Sequence, residues 1–187
     1  MVGYPTVALI ENPLFVPVAD REFTWNQLVD MVDDRFRIER EERVRFDQGV
    51  LLDGRIETFP QIGATLLEPW RKDSTPGFET NHATLQTIRR RATLIISPTE
   101  GGYLVNIVVQ KELEDLSRPE HATAGGATLR HDSSLVSAHE TTAAGGPITL
   151  GWIPVGRDLS LEQEMLADLR ARLFEGGQPV QLPPHAR

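Results

Sequence analysis

The chain contains no cysteine. That excludes disulfides, thiolate metal ligands and cysteine nucleophiles together, and leaves the compartment open. No run approaches the roughly 20 apolar residues that span a bilayer as a helix. The opening residues, Met1-Val2-Gly3-Tyr4-Pro5, have neither the basic start nor the long apolar stretch of a signal peptide. Excess positive charge is missing too. A net charge of −8 argues against nucleic acid as a partner, because that affinity needs an electropositive surface. No G-x-S-x-G, G-x-G-x-x-G or G-x-x-x-x-G-K-[ST] pattern occurs. Eight of the 15 glycines fall in pairs instead, at Gly101-Gly102, Gly125-Gly126, Gly145-Gly146 and Gly176-Gly177. Such pairs mark turns and helix stops. Neither catalytic residues nor a metal or other cofactor is expected.

What remains is an ordinary globular composition, 40% hydrophobic and 25% charged over 187 residues. A chain of this length buries roughly 70% of its unfolded surface and needs no covalent staple. The clearest local signal is a β-hairpin. Ala92-Thr93-Leu94-Ile95-Ile96 is rich in β-branched residues, Pro98-Thr99-Glu100-Gly101-Gly102 is a turn cluster, and Tyr103 to Val109 runs back. Residues 6–18, interrupted by Pro13 and Pro17, suit an edge strand or entry arm.

The first helix is predicted at about residues 24–36, with Thr24 and Gln27 as a capping box and Phe23 and Leu28 as a staple. Leu28, Met31, Val32 and Phe36 form its apolar stripe. Residues 36–59 read as a second hairpin turning at Asp53-Gly54. Residues 60–82 look irregular, and 83–90 fit either a helix or the start of the next strand. A last strand is expected at 147–155. The final helix is predicted from Ser160, again with a capping-box glutamine, Gln163. Its face is Leu161, Met165, Leu166, Leu169 and Leu173. The expected organisation is one α+β domain over 1–177, with a long loop at about 117–147 and an extended tail at 178–187. Two amphipathic helices need an apolar face to cover, so the fold class is a two-layer sandwich with a mostly antiparallel sheet.

His121, His131 and His139 lie in the 117–147 loop beside Glu120, Asp132 and Glu140. Their spacings match no compact metal motif, and Ser133 and Ser134 lack a nucleophile turn, so a polar loop is expected there. The partner-binding candidates lie elsewhere. Arg89-Arg90-Arg91 is the densest basic run, extended by Arg71-Lys72 if their loop folds near. It suits a partner's acidic face or anionic lipid. The alternative is a solvated edge that blocks strand pairing. Trp70, next to Arg71 in an irregular loop, has the composition of a binding hot spot, the alternative being a lid on the core. Trp152 is expected in the core.

The order of an edge strand, a capped helix, antiparallel strands and a C-terminal amphipathic helix resembles small bacterial envelope lipoproteins of the lipopolysaccharide-assembly type. Ser160 to Leu173, with Gln163 and Arg170, resembles their closing helix. The resemblance implies a non-enzymatic accessory protein that docks to a larger, membrane-associated protein. The compartment would be the periplasm or cell envelope if a leader precedes this sequence, and the cytoplasm otherwise. Two alternatives stand beside it. One is a small cytoplasmic ligand-binding domain or enzyme using the His-containing loop. The other is a subunit of an assembly joined by edge pairing through residues 7–18.

Overall fold

In the computed structural model, residues 9–17, 20–47, 49–116 and 149–175 are described. Nine strands and three α-helices occur among them, in the order β1 (Leu14–Pro17), α1 (Arg21–Asp33), β2 (Ile38–Glu42), β3 (Arg45–Asp47), β4 (Val50–Leu52), β5 (Gly54–Thr58), β6 (Gln61–Ile62), α2 (Phe78–Leu85), β7 (Ile88–Thr99), β8 (Gly102–Leu116), β9 (Thr149–Arg157) and α3 (Leu159–Arg170). A π-helical turn, Ala171–Glu175, continues α3. None of these helices is long and apolar enough to cross a membrane.

The expected α+β sandwich is present. The main sheet runs β1-β8-β7-β5-β2, with β9 beside the second half of β8 and β6 beside the start of β7. Every pairing among the described residues is antiparallel. The β7–β8 hairpin is longer than the sequence signal. Pro98 and Thr99 still pair, with Tyr103 and Gly102, so only Glu100 and Gly101 make the turn.

Alternation along β7 turns Ala92, Leu94 and Ile96 inward, where they meet Val109, Ile107 and Val105 of β8. Leu28, Met31 and Val32 of α1 close over them, with Leu161, Met165, Leu166 and Leu169 of α3. Fully burying each such side chain is worth about 1.5–3 kcal/mol, so this layer is the main source of stability.

Both helices begin earlier than Thr24 and Ser160 suggest. Asp20 caps α1, its Oδ1 accepting from the amides of Glu22 and Phe23. Thr24 instead donates its hydroxyl to the Asp20 carbonyl. Trp25, in the second turn, is buried in the core. Asp158 caps α3 by accepting from the Leu161 amide. Gln163 forms no capping box; its side-chain amide pairs with both backbone groups of Ile10.

The second hairpin is present as β2 against β5, but it reverses further out, through the inserted β3–β4 pair. Asp53-Gly54 is not the turn. Gly54 starts β5 and lies under Trp25, where a Cβ would come within 2.7 Å of the indole. Residues 83–85 belong to α2, and β7 begins at Ile88. Residues 117–147, and the tail at 178–187, lie outside the described residues.

On one side of β8, β1 reaches Val105 and β9 begins at Gln110, leaving a gap. Side chains and a loop amide fill it. Asn12 donates from Nδ2 to the Ile107 carbonyl at 2.7 Å and accepts from the Ile107 amide at 3.1 Å. The Val109 amide donates to Glu162, and its carbonyl accepts from the Asp158 amide. On β7, the Thr58 hydroxyl bridges the amide and carbonyl of Ala92 in the gap between β5 and β6. Buried backbone groups left unpaired are costly. Replacing Asn12 by Ala is therefore expected to lower unfolding free energy by about 1–3 kcal/mol in urea titration, whereas an equally exposed polar site elsewhere changes little.

Candidate functional site

Alternation along β7 separates the three consecutive arginines. Arg90 shares parity with Ile88 and Ala92, so it enters the protein, and its side chain is completely buried. A buried guanidinium must be matched by acceptors. Nε donates to Asp158 Oδ2 at 2.7 Å, Nη1 to Ser74 Oγ at 2.8 Å and Nη2 to Glu79 Oε2 at 2.7 Å. Lys111 donates to the other Glu79 oxygen at 2.8 Å. Asp158 is thus both the cap of α3 and an anion for Arg90, and a carboxylate suits a helix N-terminus.

Burial pushes the Asp158 carboxyl up. The hydrogen bond and charge of Arg90, with the Ser160 hydroxyl and the Leu161 amide, outweigh this and hold it below the ordinary carboxylate range. The backbone leaves no slack: a Cβ on Gly63 would lie 2.1 Å from Arg90 Nη1.

This cluster anchors the irregular segment between β6 and α2. Arg71 makes a second anchor, donating to both Asp73 oxygens, to Glu68 and to the Ile62 carbonyl. Burial pushes the Asp73 carboxyl above its usual range despite Arg71. A third group ties α1 to α3. Arg35 donates to Asp168 at 2.7 Å, and Arg172 bridges Asp168 and Asp34. For Asp168, burial raises the carboxyl, and the bonds from Arg172 and Arg35 overcome it and lower it.

Between the end of α1 and this segment is an open cleft of about 390 Å³. Asp33, Asp34, Arg35, Arg37, Gln61, Trp70, Arg71 and Lys72 are among its lining residues. Trp70 is 73% exposed, so it is no lid on the core. Leu66, Leu67, Phe78 and Leu85 are also strongly exposed in the same stretch of chain. The Leu66 amide donates to the Thr84 hydroxyl, which ties the chain at Leu66 to α2.

The partner-binding candidates therefore separate. Trp70, Arg71 and Lys72 share the cleft. Arg71 is held by acids, and Lys72 reaches Asp34 at 3.7 Å. Arg89-Arg90-Arg91 is neither a continuous basic patch nor a solvated edge. Arg90 is internal, Arg89 pairs with Glu112 and stacks on Trp152 at 4.1 Å, and Arg91 pairs with Glu39 at 2.9 Å. Trp152 is half-buried beneath Arg89 rather than in the core. The His121, His131 and His139 loop lies outside the described residues. Among the described residues, no group of three acids or histidines is placed to hold a metal.

Two outcomes test this arrangement. Arg90→Met leaves Asp158 buried without its cation and Glu79 with Lys111 alone, and should lower stability by about 3–5 kcal/mol in denaturant unfolding, with Gly63→Ala losing about 1–3 kcal/mol. The pH dependence follows from the signs. Asp158, Asp168 and Asp34 titrate lower when folded, so their contribution is complete above the ordinary carboxylate range and is lost as pH falls through the lowered values. Asp73 acts oppositely, its penalty being relieved by protonation. The net expectation is a thermal midpoint that drops below about pH 4, with a shallower drop in Asp158→Asn. No family model, curated protein or solved structure matches this chain.

Proposed function

We propose that this protein works by binding a larger protein partner rather than by catalysis, through the surface built from residues 66–85. The observation that carries this reading is the exposure of Trp70 on a segment anchored from below. Leu66, Leu67, Phe78 and Leu85 stand exposed around the same segment. Monomeric proteins rarely leave large apolar groups together in water without a use for them. Here the backbone beneath is held at Arg90 and Arg71 by charge-assisted bonds. A surface already fixed in its bound shape loses little entropy on docking. Lys72, 58% exposed beside Trp70, places a cation at its rim, where charge steers encounter more than it adds affinity.

On this reading the partner offers an apolar pocket for Trp70, with acidic groups at its border. The resemblance in element order suggests the bacterial cell envelope as the place of this encounter and a membrane-associated protein as the partner.

The test compares the native chain with Trp70→Ala in cross-linked pull-downs from solubilised membranes and from the soluble fraction of the native organism. Trp70 is exposed, so truncation should leave the unfolding midpoint within about 0.5 kcal/mol of the parent. The expected result is one membrane protein captured by the parent chain and lost with Trp70→Ala. Capture that ignores the substitution contradicts the proposed surface, and recovery from the soluble fraction alone contradicts the proposed location.

A further inference from the structure

The β3–β4 hairpin stands apart from the main sheet. Its strands pair only with each other among the described residues. An isolated two-stranded hairpin is marginally stable in water. This one is apolar and open: Phe46 is 71% exposed, Val50 60% and Leu51 48%. β4 comes near β7, and among the described residues no strand pairs with the other side of β3.

The other free edges carry features that resist pairing. β2 has four consecutive charges, Glu39 to Glu42, and a register irregularity between Ile38 and Arg40. β9 contains Pro154, and β1 ends at Pro17. Charges, bulges and prolines are how sheets keep their edges from associating. β3 has no proline and no bulge, and its two charges, Arg45 and Asp47, are of opposite sign.

We propose that β3 is a self-association edge, on which two copies of this chain pair antiparallel about Phe46 to join their hairpins into one four-stranded sheet. Backbone geometry selects the register. Only residue 48 and Gly49 separate Asp47 from its pairing partner Val50. In a two-residue hairpin the pair flanking the turn exchanges both backbone bonds, so the amide and carbonyl of the preceding residue point outward. That residue is Phe46. A two-fold axis between two Phe46 residues lets each donate to the other.

Charge selects the same register. Antiparallel pairing about Phe46 sets Arg45 opposite Asp47 of the second copy, and Asp47 opposite its Arg45. Among the described residues neither side chain has an ion pair or hydrogen bond, and both residues are exposed. A shift by one residue, centring the axis on Arg45, would set like charges together. On the opposite face, Phe46 and Leu51 of both copies form one apolar cluster, since the two are cross-strand partners. The contact is smaller than the roughly 1,200–2,000 Å² of stable interfaces, so the dimer is weak, with a Kd on the order of 100 μM.

Sedimentation equilibrium of the full chain over a range of concentrations tests this. The parent is expected to show a monomer–dimer equilibrium. Arg45→Asp and Asp47→Arg each replace two attractive cross-strand pairs by repulsive ones, and each alone should weaken self-association about tenfold or more. An equimolar mixture of the two variants restores opposite charges at every position and should dimerise as the parent does. Both sites are exposed and have no partner among the described residues, so the circular dichroism of each variant should match the parent. A parent that stays monomeric to millimolar concentration overturns the proposal. So does association of either single variant as strong as the parent's, or a mixture that remains monomeric.

Discussion

The architecture depends on a buried guanidinium. Arg90 points into the protein because strand alternation sends it there, and its side chain is completely buried, so protein acceptors must meet its charge. Its acceptors come from three separate places: the cap of α3, the first turn of α2 and the turn before α2. The requirement that all three converge fixes where the C-terminal helix starts and where the irregular segment lies. Desolvating an ion pair costs several kcal/mol per ion, so such a cluster adds little net stability over a well-packed apolar substitute. What it adds is uniqueness of position: any displacement of Asp158 or Glu79 leaves a charge buried without its partner.

The same logic governs the edges of the central hairpin. β8 and β7 are longer than the strands beside them, so backbone groups at Ile107, Val109 and Ala92 face gaps. Asn12, Glu162 and Thr58 fill them with side-chain donors and acceptors in place of a strand. Glu162 is tied in turn to Arg157, whose hydrogen bonds to that carboxylate raise its own basicity. These polar side chains bond the sheet to the N-terminal arm and to α3, while the apolar layer supplies the bulk of the stabilisation.

Much of this was legible in the sequence where a single period decides the structure. The β-branched runs around Glu100-Gly101 gave the central hairpin, and the four-residue repeats gave both apolar helix faces. Helix starts were not legible, because two capping signals competed at each. Asp20 precedes Thr24 by four residues, and Asp158 precedes Ser160 by two; in both cases the earlier aspartate accepts from amides of the first turn, and Asp158 also meets Arg90. Gly54 was misleading because close approach to Trp25, not a turn, requires glycine there. Arg89-Arg90-Arg91 looked like one patch because charge density ignores parity. The signal that separates them was present, in the alternation of Ile88, Arg90, Ala92, Leu94 and Ile96. The acids that receive Arg90 come from distant segments, and no local pattern announces them.

The central claim is that the Arg90 cluster holds the 61–85 segment in one fixed arrangement beneath Trp70. Native-state hydrogen exchange on Arg90→Lys tests it most directly, since lysine keeps the charge and loses the three-way fork. In the parent, the amides of Gly63 and Leu66 are bonded to Ile88 and Thr84, while Leu94 and Ile107 belong to the β7–β8 core. The account predicts that protection at Gly63 and Leu66 falls about tenfold or more in the variant while protection at Leu94 and Ile107 holds. Unchanged protection across 61–85, or a uniform loss that spares no part of the sheet, would contradict it.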